Sequence, residues 1–495
     1  MGRSFPWPER ALDLVRAVET QVYDPLRPPL QVRPRPRAAT AQGLFSQLDT
    51  WQAKALAMLG GYYVVLVLHM IFLRGGEVTS SYVDEIFLLF LGACALPGLA
   101  RIHPQVRILL SIYALFTLIC VVSAAFNGLE QWYPAYPRWL AAFVGVLLDV
   151  KTIIATLGFA YLLSQQKNDV PIRLSLMILI GIVLLNVPFL LRDIVLGGNS
   201  LYGEPLRLRN GFVQPQGFLL FVVDSADLTI LASFAAAALY IGTMRGIWLA
   251  AWLGLSFVTL IHFSVKEAIS VIVCMSIVAM SIPFKSARLR TYVRTFFLMA
   301  AGVLAFPLAL FVLPVVTTRL DEYVGGDLAD TVRTYSYVVA VRIANDFFPF
   351  GSGSGTYASL PSRDLYYSPL YDIYGLSTMH GAARHFSGYL MDTFWPKILG
   401  EGGWFGLATY LGMLVFIFYR AITNLIARTD GLNVFCLCVL VTVMIKGFAA
   451  SVMSQETFVI LLGFVFAYVL VHPVAARRVG QVRRAPARFQ LGRGY

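Results

Sequence analysis

"IRLSLMILIGIVLLNVPFLL", residues 172–191, runs for twenty residues with a single charge, Arg173. At about 1.5 Å of rise per residue, a helix of that length crosses the roughly 30 Å hydrocarbon core of a bilayer. The run is continuous and lacks the two-residue alternation of a barrel strand. Outward from it, similar runs recur near 55–73, 82–100, 108–126, 139–163, 217–242, 247–263, 268–284, 295–316, 403–419, 432–450 and 456–472. Composition agrees. The chain is 58% hydrophobic and 13% charged over 495 residues, too little polar surface to wrap a water-soluble core of that size. The reading is an all-α, polytopic integral membrane helix bundle of about 12 transmembrane helices.

Basic residues orient it. With residues 1–54 placed inside and sides alternating from there, the cytoplasmic segments hold 25 of the 39 Lys and Arg. That bias puts both termini in the cytoplasm and the loop 317–402 outside, which in a bacterial inner membrane is the periplasm. The expected organisation is a basic, proline-rich cytoplasmic tail (1–54), spans 1–9 (55–316), a periplasmic loop domain (317–402), spans 10–12 (403–472) and a basic cytoplasmic tail (473–495). In the first tail Leu12, Val15, Val18 and Val22 share a helical face, as in a helix lying on a membrane surface. The first 20 residues carry charges and no apolar core, so no secretory signal is expected. The net charge of +12 reads as a topology signal with some attraction to anionic lipid. No basic soluble domain is offered to nucleic acid.

Exclusion narrows the chemistry. There is no phosphate-binding Gly-x4-Gly-Lys-Ser/Thr loop and no Asp-x-Asp pair. Cys94, Cys120, Cys274, Cys436 and Cys438 fall within predicted spans, odd in number and without metal-ligand spacing. No cofactor and no metal are expected. What the outer face does carry is cations. Arg207 and Arg209 lie in "SLYGEPLRLRNGFVQPQG" (200–217), and Lys266 in "HFSVKEA" (262–268). Arg333 and Arg342 lie on a predicted amphipathic helix of the loop domain, whose apolar face is Leu328, Val332, Tyr335, Val339 and Ile343. Nine residues apart, those two arginines point to opposite faces. Cations on the side that topology disfavours point to a bound anion, and the guanidinium fork suits phosphate. The plain alternative is surface arginine paired with Asp321, Glu322, Asp327 or Asp330.

Three further stretches matter. "FGSGSGTYAS" (350–359) reads as a tight turn about Gly351 and Gly353, either plain or offering its amides to an anion. "MHGAARHFSGYL" (379–390) brings His380 and His385, which titrate near neutrality. "DTFWPKILGEGGWFG" (392–406) brings Asp392, Trp395 and, at a helix start, Glu401. Asp392 reads as a general base, a helix cap or an ion-pair partner of Lys397. Inside spans, Asp149, Lys151, Asp224, Asp227 and a solitary Lys446 are candidates because burying charge in lipid is costly.

These features resemble the O-antigen polymerase and ligase superfamily, bacterial membrane glycosyltransferases of the GT-C type that use polyprenyl-diphosphate-linked glycans. The resemblance covers about residues 200–405. It rests on "RLRNGFVQP", where Arg207 or Arg209 is the match, and on "FSVKEA", where Lys266 stands in an arginine's place. It rests also on Arg333 with Tyr337 ahead of "PFGSGSGTY", and on "EGGWFG", nine residues after Asp392, which stands where the family has a histidine. It implies that Arg333 and Arg207 or Arg209, assisted by Lys266, hold a lipid diphosphate. It implies Asp392 as general base, with His380 and His385 as rivals. Glu401, Gly351 and Gly353 would support the site, and Tyr337 and Trp395 would stack on sugars. The implied activity is metal-independent polymerisation of lipid-linked repeat units into O-antigen, capsule or exopolysaccharide, closest to the last two. Its partners would be the lipid-linked oligosaccharide, the bilayer, a chain-length regulator and export machinery. A ligase using another acceptor, and a transporter or flippase of lipid-linked glycans, are the alternatives.

Overall fold

The computed structural model describes residues 51–72, 83–283 with gaps at 133, 135, 167, 202–204, 207, 210–211, 220–221 and 263, then 291–292, 295 and 332–472. The N-terminal surface helix, all of the first tail but its last four residues, the second tail, Arg207, Leu328 and all but the first residue of the predicted span 295–316 lie outside the described residues.

Elsewhere the hydropathy runs are helices. They are α1 (Trp51–Phe72), α2 (Val83–Ala95), α3 (Pro104–Phe126), α4 (Arg138–Gln165), α5 (Val170–Leu196), α6 (Val222–Thr243), α7 (Gly246–Ile261) and α8 (Val265–Ser281). After the amphipathic α9 (Val332–Asp346) come α10 (Trp395–Ala427), α11 (Gly431–Gly447) and α12 (Glu456–Val471). Among the described residues, α3, α4, α5, α6 and α10 are long and apolar enough to cross a membrane, and α7, α11, α12 and the stretch Ala57–Ile71 of α1 are shorter but apolar. The outward faces are apolar too: Leu89 on α2 is 76% exposed and Val195 on α5 is 79% exposed. Water-bathed proteins do not carry such surfaces over whole helices, so the chain is a membrane-embedded, nearly all-helical protein. One minimal hairpin departs from all-α: Leu208–Arg209 pairs antiparallel with Phe212–Val213, Leu208 opposite Val213.

A helix that is apolar on every side belongs in the interior. α12 obeys this, with Thr457–Leu470 all buried, and so do most of α6 and α11. Small residues let backbones meet. Gly463 of α12 lies against Ala155 of α4, Gly158 of α4 against the backbone of Leu91, and Gly431 against the Ala238 carbonyl of α6; a Cβ at any of them would overlap its neighbour.

Residues 332–394 form a separate small core on these helices. Val332, Tyr335, Val339 and Ile343 of α9 pack with Tyr357, Leu370, Tyr371 and Leu376. The core is rich in tyrosine because phenols both fill space and satisfy loop backbone. Tyr357 donates to the Ser336 carbonyl, Tyr335 to that of Tyr374, and Tyr366 to that of Gly355. The predicted boundary at 402/403 moves. α10 begins at Trp395, with Pro396 in its first turn, where a missing N–H costs nothing. The helix then breaks direction at Gly403, whose φ of 61° no side-chain-bearing residue adopts cheaply.

Candidate functional site

The glycine-rich turn is the first piece. Residues 351–359 are buried, threaded between α3, α4 and α10. A Cβ on Gly353 would overlap Ala124, and one on Gly355 would overlap the Ala141 carbonyl. The amides of residues 351–354 are consumed: Gly351 donates to Phe347, Ser352 to Gly400, Gly353 to Glu401 and Ser354 to Cys120. This corrects the idea of a turn offering amides to an anion. Gly351 and Gly353 serve close packing. Glu401 is 2% exposed and sits inside α10, not at a helix start; its carboxylate accepts the Tyr357 amide and fixes the same turn.

Beneath this turn lies a cavity of about 370 Å³, bounded by α2, α3, α4, α10, α12 and loop residues 358–364 and 391–394. Its size falls in the range of roughly 300–1,000 Å³ typical of small-ligand sites. Charged pairs stand on its wall. Lys151 bonds Asp84 at 2.8 Å and Glu85 at 2.5 Å. Lys397 pairs with Asp149, and Arg363 with Asp364 at 2.5 Å. Asp149 and Lys151, two positions apart on α4, take different partners yet line the same space. Tyr113, Phe116, Phe394 and Tyr410 supply aromatic surface.

Asp392 sits between Met391 and Thr393, both of which line the cavity. The structure ties it to Arg333: Nε at 3.1 Å and Nη2 at 2.5 Å both reach Oδ2. The donor-side and acceptor-side candidates are therefore one ion pair, and the expected Asp392–Lys397 pairing is replaced by Lys397–Asp149. Arg363, which the sequence did not single out, is near enough to feel the charge of Asp392. Arg342 is exposed on the other side of α9, as the spacing requires.

The remaining candidates gather elsewhere. His380 and His385 are exposed on the loop surface and do not line the cavity. His380 packs against Phe386, at 5.1 Å between ring centres. Nearby, burial would raise the Asp372 carboxyl, but hydrogen bonds from Arg384 and Ser377 hold it below the usual carboxylate range. Trp395 is 8% exposed and enclosed by Phe394, Tyr410 and Phe448, so it packs where stacking on a sugar was expected. Tyr337 donates to the Phe448 carbonyl at 2.9 Å, and burial pushes its phenol up. Lys266 lies 4.0 Å from Glu267 on α8 and does not line the cavity. Arg209 is on the hairpin strand, and its segment is pinned at one foot by Asp193, which accepts the amides of Gln216 and Gly217.

Lys446 is not solitary. It is fully buried against Asp227 of α6 and Glu267 of α8, the latter at 2.7 Å. Its neighbour Gly447 accepts the Phe394 amide, which joins this cluster to the start of α10. No protein-family model matches the chain, and no curated protein matches it.

Proposed function

We propose that the chain is a membrane glycosyltransferase that polymerises polyprenyl-diphosphate-linked oligosaccharide units into a cell-surface polysaccharide. In this reading about 12 spans cross a bacterial inner membrane, both termini are cytoplasmic, and residues 317–402 form a periplasmic cap. The observation that carries it is the cavity under the loop domain, with charged pairs on its wall and the Arg333–Asp392 pair beside it. A lipid-held donor needs a site roofed by a loop yet seated on apolar helices, so that sugar and lipid are accommodated together.

The chemistry follows from that pair. Diphosphate oxygens compete with Asp392 for the planar fork of Arg333. Binding of donor then frees the carboxylate to accept the proton of an acceptor hydroxyl. The acceptor oxygen attacks the anomeric carbon, the bond from that carbon to the diphosphate breaks, and polyprenyl diphosphate leaves with its charge stabilised by Arg333. Arg209 or Arg207 and Lys266 are the further cations assigned to the donor. A chain-length regulator and export machinery are the partners such a product requires. The transporter reading draws on the buried Lys446 cluster, since intramembrane charge marks ion-coupled pathways as well.

The test uses purified protein in lipid with a polyprenyl-diphosphate oligosaccharide, read by gel and mass spectrometry. A ladder of repeat units is expected, reduced about 10²–10³-fold by Arg333→Ala. A single transfer that needs a separate glycolipid acceptor would establish the ligase instead. Lipid-linked sugar crossing the bilayer without a new glycosidic bond would establish the transporter.

A further inference from the structure

Among the described residues the wall of the cavity is unbalanced in charge. Asp84, Glu85, Asp149 and Asp364 face Lys151, Arg363 and Lys397, four carboxylates against three cations. Each cation is already matched: Lys397 by Asp149, Arg363 by Asp364, and Lys151 by two carboxylates at once. Glu401, buried just behind, adds a further carboxylate close enough to act on Lys397. Acidic residues in the first turn of α2 are favoured by the helix dipole. That accounts for their being tolerated there, not for carboxylate oxygens left without hydrogen bonds. Asp84 is 1% exposed, and beyond the contact of the two carboxyl groups with each other no described residue offers a hydrogen bond to its Oδ1 or to the Oε2 of Glu85. On the loop side Thr393, 2% exposed, lines the same cavity with an unpartnered Oγ1. Buried polar atoms in native proteins are nearly always paired, and each exception calls for a partner that the described residues do not supply.

We infer that this cavity is a sugar subsite for a neutral or amine-bearing residue of the glycan, and that it excludes a sugar carrying a carboxylate. It rests on the reading of the chain as a glycan-handling protein and adds which sugars it takes. The oxygens of Asp84 and Glu85 accept from sugar hydroxyls or an ammonium group. The Thr393 hydroxyl donates to or accepts from another, and the aromatic wall covers the apolar face of the ring. A uronic acid brings a like charge against carboxylates that no spare cation among the described residues of the wall offsets. The same surplus keeps the diphosphate out of this cavity and leaves it to Arg333 outside.

The experiment is isothermal titration calorimetry on the full chain in nanodiscs of zwitterionic lipid, so that the lipid itself does not select charge. The probes are β-linked trisaccharides of glucosamine, glucose and glucuronic acid. The glucosamine and glucose trimers are expected to bind, with the glucuronic trimer at least about tenfold weaker. Glu85→Gln, at a partly exposed position that tolerates the change, is expected to bring the glucuronic trimer within about threefold of glucose. Equal or tighter binding of the acidic trimer, an unchanged gap in E85Q, or no binding of any trimer would overturn the inference. Binding of free trimers needs no glycosyl transfer. Correct selectivity without polymer formation would therefore refute the polymerase alone, and polymer formation with the wrong selectivity would refute the subsite alone.

Discussion

Two groups of buried charge sit in the helices, and they differ in what lies beside them. Lys446, Asp227 and Glu267 are closed in by α6, α8 and α11, each side chain at most 1% exposed. Lys397 and Asp149 are 12% and 22% exposed and border the cavity. A charge locked against its partners fixes helix positions. A charge on the wall of a cavity exchanges its partner for water or ligand. The same residue types in the same kind of apolar helix thus divide, by adjacent space, into charges sealed from solvent and charges within its reach.

The largest effect is expected from Lys446→Met. It strands two carboxylates in an apolar interior, so it should destabilise by roughly 3–5 kcal/mol, read as a large drop in thermal midpoint in detergent. Combining it with Asp227→Asn and Glu267→Gln should restore most of the loss. Lys397→Met should cost less, about 1–3 kcal/mol, because Asp149 regains solvent through the cavity. Equal losses in the two single variants would erase the distinction. Smallest is Arg333→Ala. Its pair with Asp392 is 53% and 30% exposed, and such pairs contribute at most about 1 kcal/mol. A near-unchanged midpoint with lost polymerisation would place Arg333 in the chemistry, and a large drop would return it to the scaffold.

Much of the architecture was legible. Hydropathy runs located each described transmembrane-type helix to within a few residues, except α10. There the glycines around Glu401 read as a boundary, whereas a positive φ at Gly403 lets the helix continue after a kink. The periodicity of Val332, Tyr335, Val339 and Ile343 found the buried face of α9. Partnerships were not legible. Lys446 meets Glu267, 179 positions away, and Lys151 meets Asp84, 67 positions away; nothing local announces either. The rule that a charge in an apolar helix needs an opposite charge at its own depth would have nominated both sets. Arg363 was missed because its segment has no periodicity and only its fold places it near Asp392. The glycine run misled for a different reason: glycine admits close backbone approach as readily as it admits ligands.

The stitching of that turn also sets an order of assembly. Ser123 donates to the Gly351 carbonyl across 228 positions of sequence, and Asn127 to that of Ser352 across 225. A ribosome makes α3 and α4 long before it reaches the turn that fits between them. During that interval the slot flanked by Ala124 and Ala141 has no native occupant. Native closure of that slot therefore cannot precede synthesis of residues 351–359.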